Sequence, residues 1–471
     1  MSRLIVASNR VALPGKASAG GLAVALKDAL EQRGGLWCGW SGEVSDYPSI
    51  HHASNDKVDY ATFDLTQQEY EDYYLGFSNS LVWPLFHYRT DLAHYRRAMF
   101  DAYENVNARF ADCIAGRAED GDIIWVHDYH LLTLGRHLRQ RGLDKPSIGF
   151  FLHIPFPAPE IFHTLPVHEA VLKALCEYDL VGFQTEEHAK AFIACLQVAD
   201  QTTTSTQQEN RWHVSAFGRK LTVGAFPISI DTADMQSTAE DAEQEPKTKQ
   251  LADSLNDQHL IIGVDRMDYS KGLPNRMQAF DHFLQTYPEH RRQTTYIQIT
   301  PVSRTDVDEY QALGEEVETL AAHANGLHGD VDWTPIRFIE KGFPRESLAG
   351  FYRTARVGLV TPLRDGMNLV AKEYVACQNP ADPGVLILSQ FAGAAHELAA
   401  GALLVNPFDT EAMANALHQA LTMSLSERKT RHQTMIQVLE DNTIFTWSND
   451  FLKTLDATRQ GGDVVYASFP S

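Results

Sequence analysis

Nine short apolar runs, "RLIVAS", "DIIWVH", "SIGFFLH", "DLVGFQ", "LIIGVD", "TYIQIT", "IRFIE", "VGLVTP" and "GVLILS", recur along the chain with helix-patterned stretches between them. Runs of Val, Ile and Leu that do not alternate with polar residues describe strands buried on both faces. Such strands pair in parallel through crossover helices, so the sequence predicts an α/β fold with parallel sheets. At 471 residues the chain exceeds the reach of one hydrophobic core, and two such units are expected.

The segment from Asp231 to Gln258 is polar, charged and nearly devoid of large apolar side chains. It reads as a solvated helix or linker and marks the boundary between a first domain, 1–230, and a second, 231–449. A second polar stretch, "DQTTTSTQQENRW", reads as a surface loop or hairpin. With 61 acidic against 40 basic residues, the formal charge of −21 argues against nucleic acid as partner, because such binders concentrate Lys and Arg into a stripe. A small phosphorylated ligand would then rest on a few local cations. Five Cys, odd in number and without CxxC spacing, suit unpaired thiols in a reducing compartment. The apolar run in "MSRLIVASNR" is too short for a signal sequence, and no stretch approaches ~18 apolar residues, so a soluble, cytoplasmic protein without a membrane span is expected.

Ligands of open α/β sheets sit beyond the carboxyl ends of strands, so chemistry is sought just after each run. The first run leads into "SNRVALPGKASAGGLAVAL", an Arg and a loop ending in Gly20 and Gly21 before a helix. Paired glycines there let backbone N–H groups approach a phosphate, although tight turn packing explains the same pair. No GxGxxG accompanies them, which weighs against a dinucleotide site. "GVDRMDYSKGLPNRMQAF" puts Arg266 and Lys271 on one strand-to-helix loop. Two cations there can neutralise a diphosphate leaving group, or pair on the surface with Asp265 and Asp268. In "LVTPLRDGMNLVAKEYV" a helix is expected to begin near Met367 or Asn368. Asp365 reads as an N-cap and Gly366 as a turn residue. Alternatively the N–H groups of that helix start grip sugar hydroxyls or phosphate, and Glu373 accepts from ribose hydroxyls.

His127, Asp128 and His130 close "IIWVHDYHLL", and His153 follows "GFFL". Such groups bind a metal or position a sugar hydroxyl, but the spacing matches no zinc pattern, and His127 is assigned to packing. "DYYLGFSNSLVWPLFHY" carries Tyr73, Tyr74, Phe77, Trp83, Phe86 and Tyr88. It reads as a loop-like carbohydrate platform or as a buried subdomain core. Asp306 with Asp308 and Asp330 with Asp332 have the DxD form that carries Mg2+ or Mn2+, but with 61 acidic residues such pairs arise by chance. Arg304, after "TYIQIT", is placed to reach a phosphate.

Together, "SNR", "SAGGLA", "WCGWSGE", "YYLGFSNSLVWPLFHYR", "WVHDYHLL", "GFFLHIPFPAPEIF", "DRMDYSKGLPNR", "PVSR" and "VTPLRDGMNLVAKEYVACQ" resemble the trehalose-6-phosphate synthase family, glycosyltransferase family 20, nearly end to end. The resemblance implies a retaining glycosyltransferase of GT-B architecture, two Rossmann-like domains with parallel sheets facing across a cleft. Its reaction would move glucose from UDP-glucose, or another nucleoside-diphosphate glucose, to the anomeric hydroxyl of glucose 6-phosphate. The implied acceptor side is Arg10, Tyr74 and Arg304 on the 6-phosphate, Asp128 on a sugar hydroxyl, and Trp83 selecting the α-anomer. The implied donor side is Gly20, Gly21, Arg266, Lys271, Phe343, Leu369, Val370, Ala371, Lys372 and Glu373. His153, Asp365 and the backbone of Gly366, Met367 and Asn368 would hold the transferring glucose. A same-face route, in which the departing phosphate oxygen takes the acceptor proton, needs no cofactor and no metal, and leaves Arg266 and Lys271 on the developing diphosphate charge. The resemblance also implies that the C-terminal helix, about 450–471, crosses back to the first domain and that the protein is a dimer or tetramer. The chain ends soon after its last helix, so a separate trehalose-6-phosphate phosphatase is expected downstream.

Three other readings stay open. A sister transferase using glycerol 3-phosphate is disfavoured by Tyr74, Trp83 and Asp128, which suit a hexose phosphate. A catalytically silent sugar-phosphate sensor is disfavoured by the presence of Arg266, Lys271, Asp365 and Glu373, and a dinucleotide oxidoreductase by the missing GxGxxG.

Overall fold

The computed structural model describes residues 3–11, 13, 21–55, 57–301 and 308–458. The chain forms two compact units, one of residues 1–227 with 445–471 and one of residues 228–444.

In the first unit the described residues form a ten-stranded sheet. Its spatial order is Ile50–Ser54, Val58–Leu65, Gly35–Val44, Leu4–Arg10, Ile123–His127, Ser147–Phe151, Leu180–Phe183, Arg219–Ala225, Arg211–Ala216 and Thr204–Gln208. The strands from Val58–Leu65 through Arg219–Ala225 run parallel, and every residue of Ile123–His127 and Ser147–Phe151 is buried, as unbroken apolar runs require. The polar stretch after Asp200 is a hairpin, Thr204–Gln208 against Arg211–Ala216, on the sheet's edge.

The second unit has a six-stranded, wholly parallel sheet ordered Ile336–Ile339, Thr294–Ile299, His259–Val264, Val357–Val360, Val385–Ser389 and Leu403–Val405. The polar segment after Asp231 is helical over Thr232–Ala242 and Pro246–Ser254, and it is built into this unit instead of linking units. Met235 and Ala239 are buried, Thr232 Oγ1 donates to Leu439 O (2.7 Å), and Ser347 Oγ donates to Glu245 Oε1 (2.7 Å).

The last described helix, Ile444–Thr458, packs from Phe445 onward on the first unit. Phe451 is fully buried, stacked on Trp125 (4.9 Å) and edge-on to Phe226 (5.0 Å). Gly149 permits that approach, because a Cβ there would lie 2.7 Å from Leu455 and 2.9 Å from Phe451. All five cysteines are buried and free of disulfides. Among the described residues no helix is long and apolar enough to cross a membrane.

Candidate active site

In the first unit, Arg10, Asp128 and His153 stand at the carboxyl ends of three neighbouring strands, where an open α/β sheet presents its ligands. Asp128 adopts φ 74° and ψ 170°, a region that side-chain-bearing residues rarely occupy. Its N–H donates to Phe151 O (2.8 Å), and its Oδ1 accepts from the His153 N–H (3.2 Å). His153 Nε2 lies 3.2 Å from His127 Nδ1, and His153 Nδ1 lies 3.5 Å from Gln184 Nε2. Burial pushes His153 down to about 3, and burial with the neighbouring His153 holds His127 well below the usual histidine range. Both rings are therefore neutral near pH 7.

The aromatic stretch is not loop-like. Tyr70–Val82 winds in wide helical turns that continue into Trp83–Phe86, with the Trp83 N–H donating five residues back to Ser78 O. Side chains brace the same spacing: Asn79 Nδ2 donates to Tyr74 O and Ser80 Oγ to Leu75 O, both at 2.8 Å. Such turns are uncommon and concentrate at functional sites. Tyr73, Phe77 and Phe86 are fully buried, which is the core half of the sequence reading. Tyr74 instead meets Trp40 (5.2 Å) and stacks on His130 (5.9 Å). The exposed Arg10 guanidinium lies 4.6 Å over the Trp40 ring and 5.8 Å over that of Tyr74, and among the described residues it makes no ion pair. Trp83 is buried against Tyr129 (5.5 Å) and His87 (4.3 Å). Trp40 and His130 complete this cluster; His130 was among the strand-end candidates, whereas Trp40 was not singled out by sequence, although "WCGWSGE" carries it.

In the second unit, Lys271 and Asp365 form an ion pair through Asp365 Oδ2, which also accepts from Asn368 Nδ2 (3.1 Å). Asp365 is thus not the N-cap of the helix Leu369–Cys377; Asn368 is, at φ 75° and ψ 86°. By geometry the N–H groups of Leu369, Val370 and Ala371 have no acceptor within that helix. Gly366 and Met367 are clamped by Gly393: Ala394 N–H donates to Met367 O (2.8 Å), and a Cβ on Gly393 would fall 1.9 Å from Gly366 O.

The surface-pair alternative for Asp265 and Asp268 does not describe the loop. Asp265 pairs with the fully buried Arg276 (2.6 Å), and Asp268 accepts from the Ser270 N–H (2.9 Å). Arg276 also donates to Thr361 Oγ1 (2.9 Å), Gln298 Oε1 (3.2 Å) and Lys271 O (3.0 Å). One side chain thereby ties the Lys271 loop to two strands. Sequence reading missed it, because an Arg two residues after a proline in an amphipathic helix looks like a surface cation.

Arg266 is exposed at the end of His259–Val264. Glu373 is half-buried, and burial raises its carboxyl above the usual range against the opposing Arg345. The Lys372 side chain points elsewhere: it is fully buried on Glu397 (2.6 Å) and Ile228 O (2.8 Å), so only its backbone can face a ligand. Phe343, edge-on to Phe351 at 5.2 Å, borders a cavity of about 430 Å³ whose walls include Ile297, Ile299 and Leu251. Gly21 opens the helix Gly21–Arg33; Gly20, Arg304 and Asp306 lie outside the described residues. Asp330 and Asp332 both pair with the exposed Arg292, a surface ion-pair arrangement.

The family model for glycosyltransferase family 20 matches residues 4–457. A trehalose-6-phosphate synthase of Sodalis glossinidius is 48% identical over 468 residues, covering 99% of this chain and 98% of the relative. One from Escherichia coli O1:K1 is 47% identical, covering 100% and 99%. Among solved structures, a Burkholderia xenovorans α,α-trehalose-phosphate synthase (UDP-forming) in complex with glucose-6-phosphate superposes with a TM-score of 0.93 at 44% identity, over 97% of this chain and 100% of that one. The E. coli protein bound with UDP-2-fluoro glucose gives a TM-score of 0.91 at 46% identity, over 96% and 99%. With two Rossmann-like parallel sheets of the GT-B kind and a full-length match, this chain belongs to glycosyltransferase family 20.

Proposed function

We propose that the chain transfers glucose from UDP-glucose to glucose 6-phosphate with retention, giving α,α-trehalose 6-phosphate and UDP. The observation that carries this reading is the Lys271–Asp365 pair at the start of Leu369–Cys377. A cation, a carboxylate and a row of helix N–H groups, brought together by the loops after the adjacent strands His259–Val264 and Val357–Val360, match a diphosphate joined to a sugar. The relatives' substrates, glucose-6-phosphate and a UDP-glucose analogue, support the same reading.

On this reading the second unit takes the donor. Arg266 and Lys271 stabilise the diphosphate charge, Asp365 holds hydroxyls of the transferring glucose with the backbone of Gly366, Met367 and Asn368, and Glu373 accepts from the ribose. Phe343 and the first-turn backbone of Leu369, Val370 and Ala371, with that of Lys372, receive the rest of the nucleotide. The first unit takes the acceptor. Arg10 and Tyr74 hold the 6-phosphate, Asp128 a sugar hydroxyl, and Trp83 shapes the anomer choice; neutral His153 hydrogen-bonds the transferring glucose. Catalysis is then positioning and charge stabilisation by the protein's own cations. The buried free thiols suit the cytoplasm, where a separate phosphatase consumes the product; a dimer or tetramer is the proposed assembly.

The test is UDP release from UDP-glucose with glucose 6-phosphate or glycerol 3-phosphate, in EDTA, with product anomers read by NMR. An α,α-linked disaccharide phosphate is the expected product. Release with glycerol 3-phosphate alone overturns the acceptor assignment, and no release with any nucleoside-diphosphate glucose overturns catalysis.

A further inference from the structure

Away from these strand ends, three side chains of the second unit turn their ligating atoms toward one another. Glu289 and His290 lie on the turn Pro288–His290, just after the helix Leu273–Thr286, and His418 lies on the helix Thr410–Thr422. His290 Nε2 and His418 Nδ1 are 3.0 Å apart, Glu289 Oε1 is 3.8 Å from His418 Nδ1, and all three ligating atoms fall within 4.8 Å of one another. We propose that Glu289, His290 and His418 form a binding site for a divalent transition-metal ion, zinc foremost, separate from the residues of glycosyl transfer.

The geometry suits the ion. With zinc-to-ligand distances of about 2.0–2.2 Å, two atoms on a tetrahedral ion stand roughly 3.3 Å apart. The two imidazole nitrogens are already near that separation, and the carboxylate reaches it by a small rotation. Two imidazoles and one carboxylate favour zinc, nickel or cobalt over magnesium or calcium, which take oxygen sets. The histidines share one proton along their Nε2···Nδ1 contact. When a metal takes that place, the donating ring carries its proton on its other nitrogen, and no charge is stranded.

The rings are also held before an ion arrives, which lowers the ordering cost of binding. His290 is buried on Phe283 (4.9 Å), and its carbonyl accepts from Thr294 Oγ1 (3.1 Å). The His418 ring stacks on Tyr287 at 4.1 Å and 11°, and Tyr287 Oη donates to Asn415 Oδ1 (2.7 Å) on the same helix as His418. Glu289 is exposed, so water can reach the fourth position. A bound ion would fasten the carboxyl end of Leu273–Thr286, the helix that carries Arg276, to Thr410–Thr422.

The full-length protein is stripped with EDTA, dialysed and titrated with Co2+, following the visible absorbance of the bound ion, and then with Zn2+, following the melting temperature. The expected result is one equivalent of Co2+ with a tetrahedral spectrum, displaced by Zn2+, and a rise in Tm. His418→Asn should weaken binding by about 100-fold, and the exposed Glu289→Ala, which leaves packing untouched, by at least ~10-fold. Absence of saturable Co2+ binding, or equal binding by the wild type and His418→Asn, would overturn the proposal.

Discussion

Arg276→Met asks whether the donor loop depends on a buried charge. Arg276 and Asp265 are 0% and 7% exposed, and their contact is 2.6 Å. Methionine keeps much of the arginine volume but leaves the buried Asp265 carboxyl without its partner, and removing one member of a buried pair costs about 3–5 kcal/mol. The Thr361, Gln298 and Lys271 acceptors lose their donor at the same time, so the upper part of that range is expected. Spread over the unit of residues 228–444, that corresponds to a Tm lower by roughly 6–20 °C.

The assay is thermal and urea unfolding of the wild type, Arg276→Met, and the double variant Asp265→Asn/Arg276→Met. The double variant carries no stranded charge and should recover a large part of the loss. Because Arg276 Nη2 holds the Lys271 carbonyl, kcat/KM for the donor should fall in both variants while the acceptor KM changes little. A single variant within about 1 kcal/mol of the wild type, or a double variant no more stable than the single, would refute the reasoning.

Asp365→Asn removes the charge facing Lys271 with little change of shape. It should lower kcat about 10²–10³-fold while UDP binding is kept or tightened, read by steady-state kinetics and UDP titration; an unchanged kcat removes Asp365 from the site. Arg10→Ala should raise the KM for glucose 6-phosphate by roughly 10–100-fold and leave the donor KM alone, as a lost charge-assisted contact of about 1.5–3 kcal/mol requires. His153 falls from 6.5 unfolded to about 3 folded, so below pH 6.5 the unfolded chain takes up a proton that the folded chain refuses. Stability should therefore fall with pH from that point, by about 1.4 kcal/mol per unit for this residue, and His153→Gln should flatten the slope in urea titrations at pH 7 and pH 5.

The fold was legible wherever strands are apolar on both faces, because burial on both sides leaves no alternation to confuse with a surface. It was not legible at Gly35–Val44, where Gly and Trp replace Val and Ile, although that strand pairs directly with Leu4–Arg10. The wide turns of Tyr70–Val82 were equally hidden. Their Gly, Ser and Asn residues signal a loop locally, and only the buried ring contacts and the five-residue side-chain bonds make them helical. Within the site, charged residues on strand-end loops were found by position alone. Their supports, Arg276, Gly393 and Trp40, come from other elements, and no spacing in the sequence says which loop they will brace.

Backbone strain marks the site in both units, and it can be tested against the ordinary rank of substitutions. Asp128 at ψ 170° and Asn368 at ψ 86° both have φ near 75° and both stand at a strand-end loop. A side chain in such a region costs of order 1–3 kcal/mol, and only glycine adopts it freely. Asp128→Ala should keep the strain and lose the His153 N–H contact, whereas Asp128→Gly loses the contact but releases the strain. Glycine at 128 should therefore be more stable than alanine by about 1 kcal/mol or more, the reverse of what chain entropy alone dictates. Both variants should lose acceptor affinity together. If alanine proves the more stable, Asp128 is not strained, and its backbone is set by local sequence instead of being held for the hydroxyl it is proposed to bind.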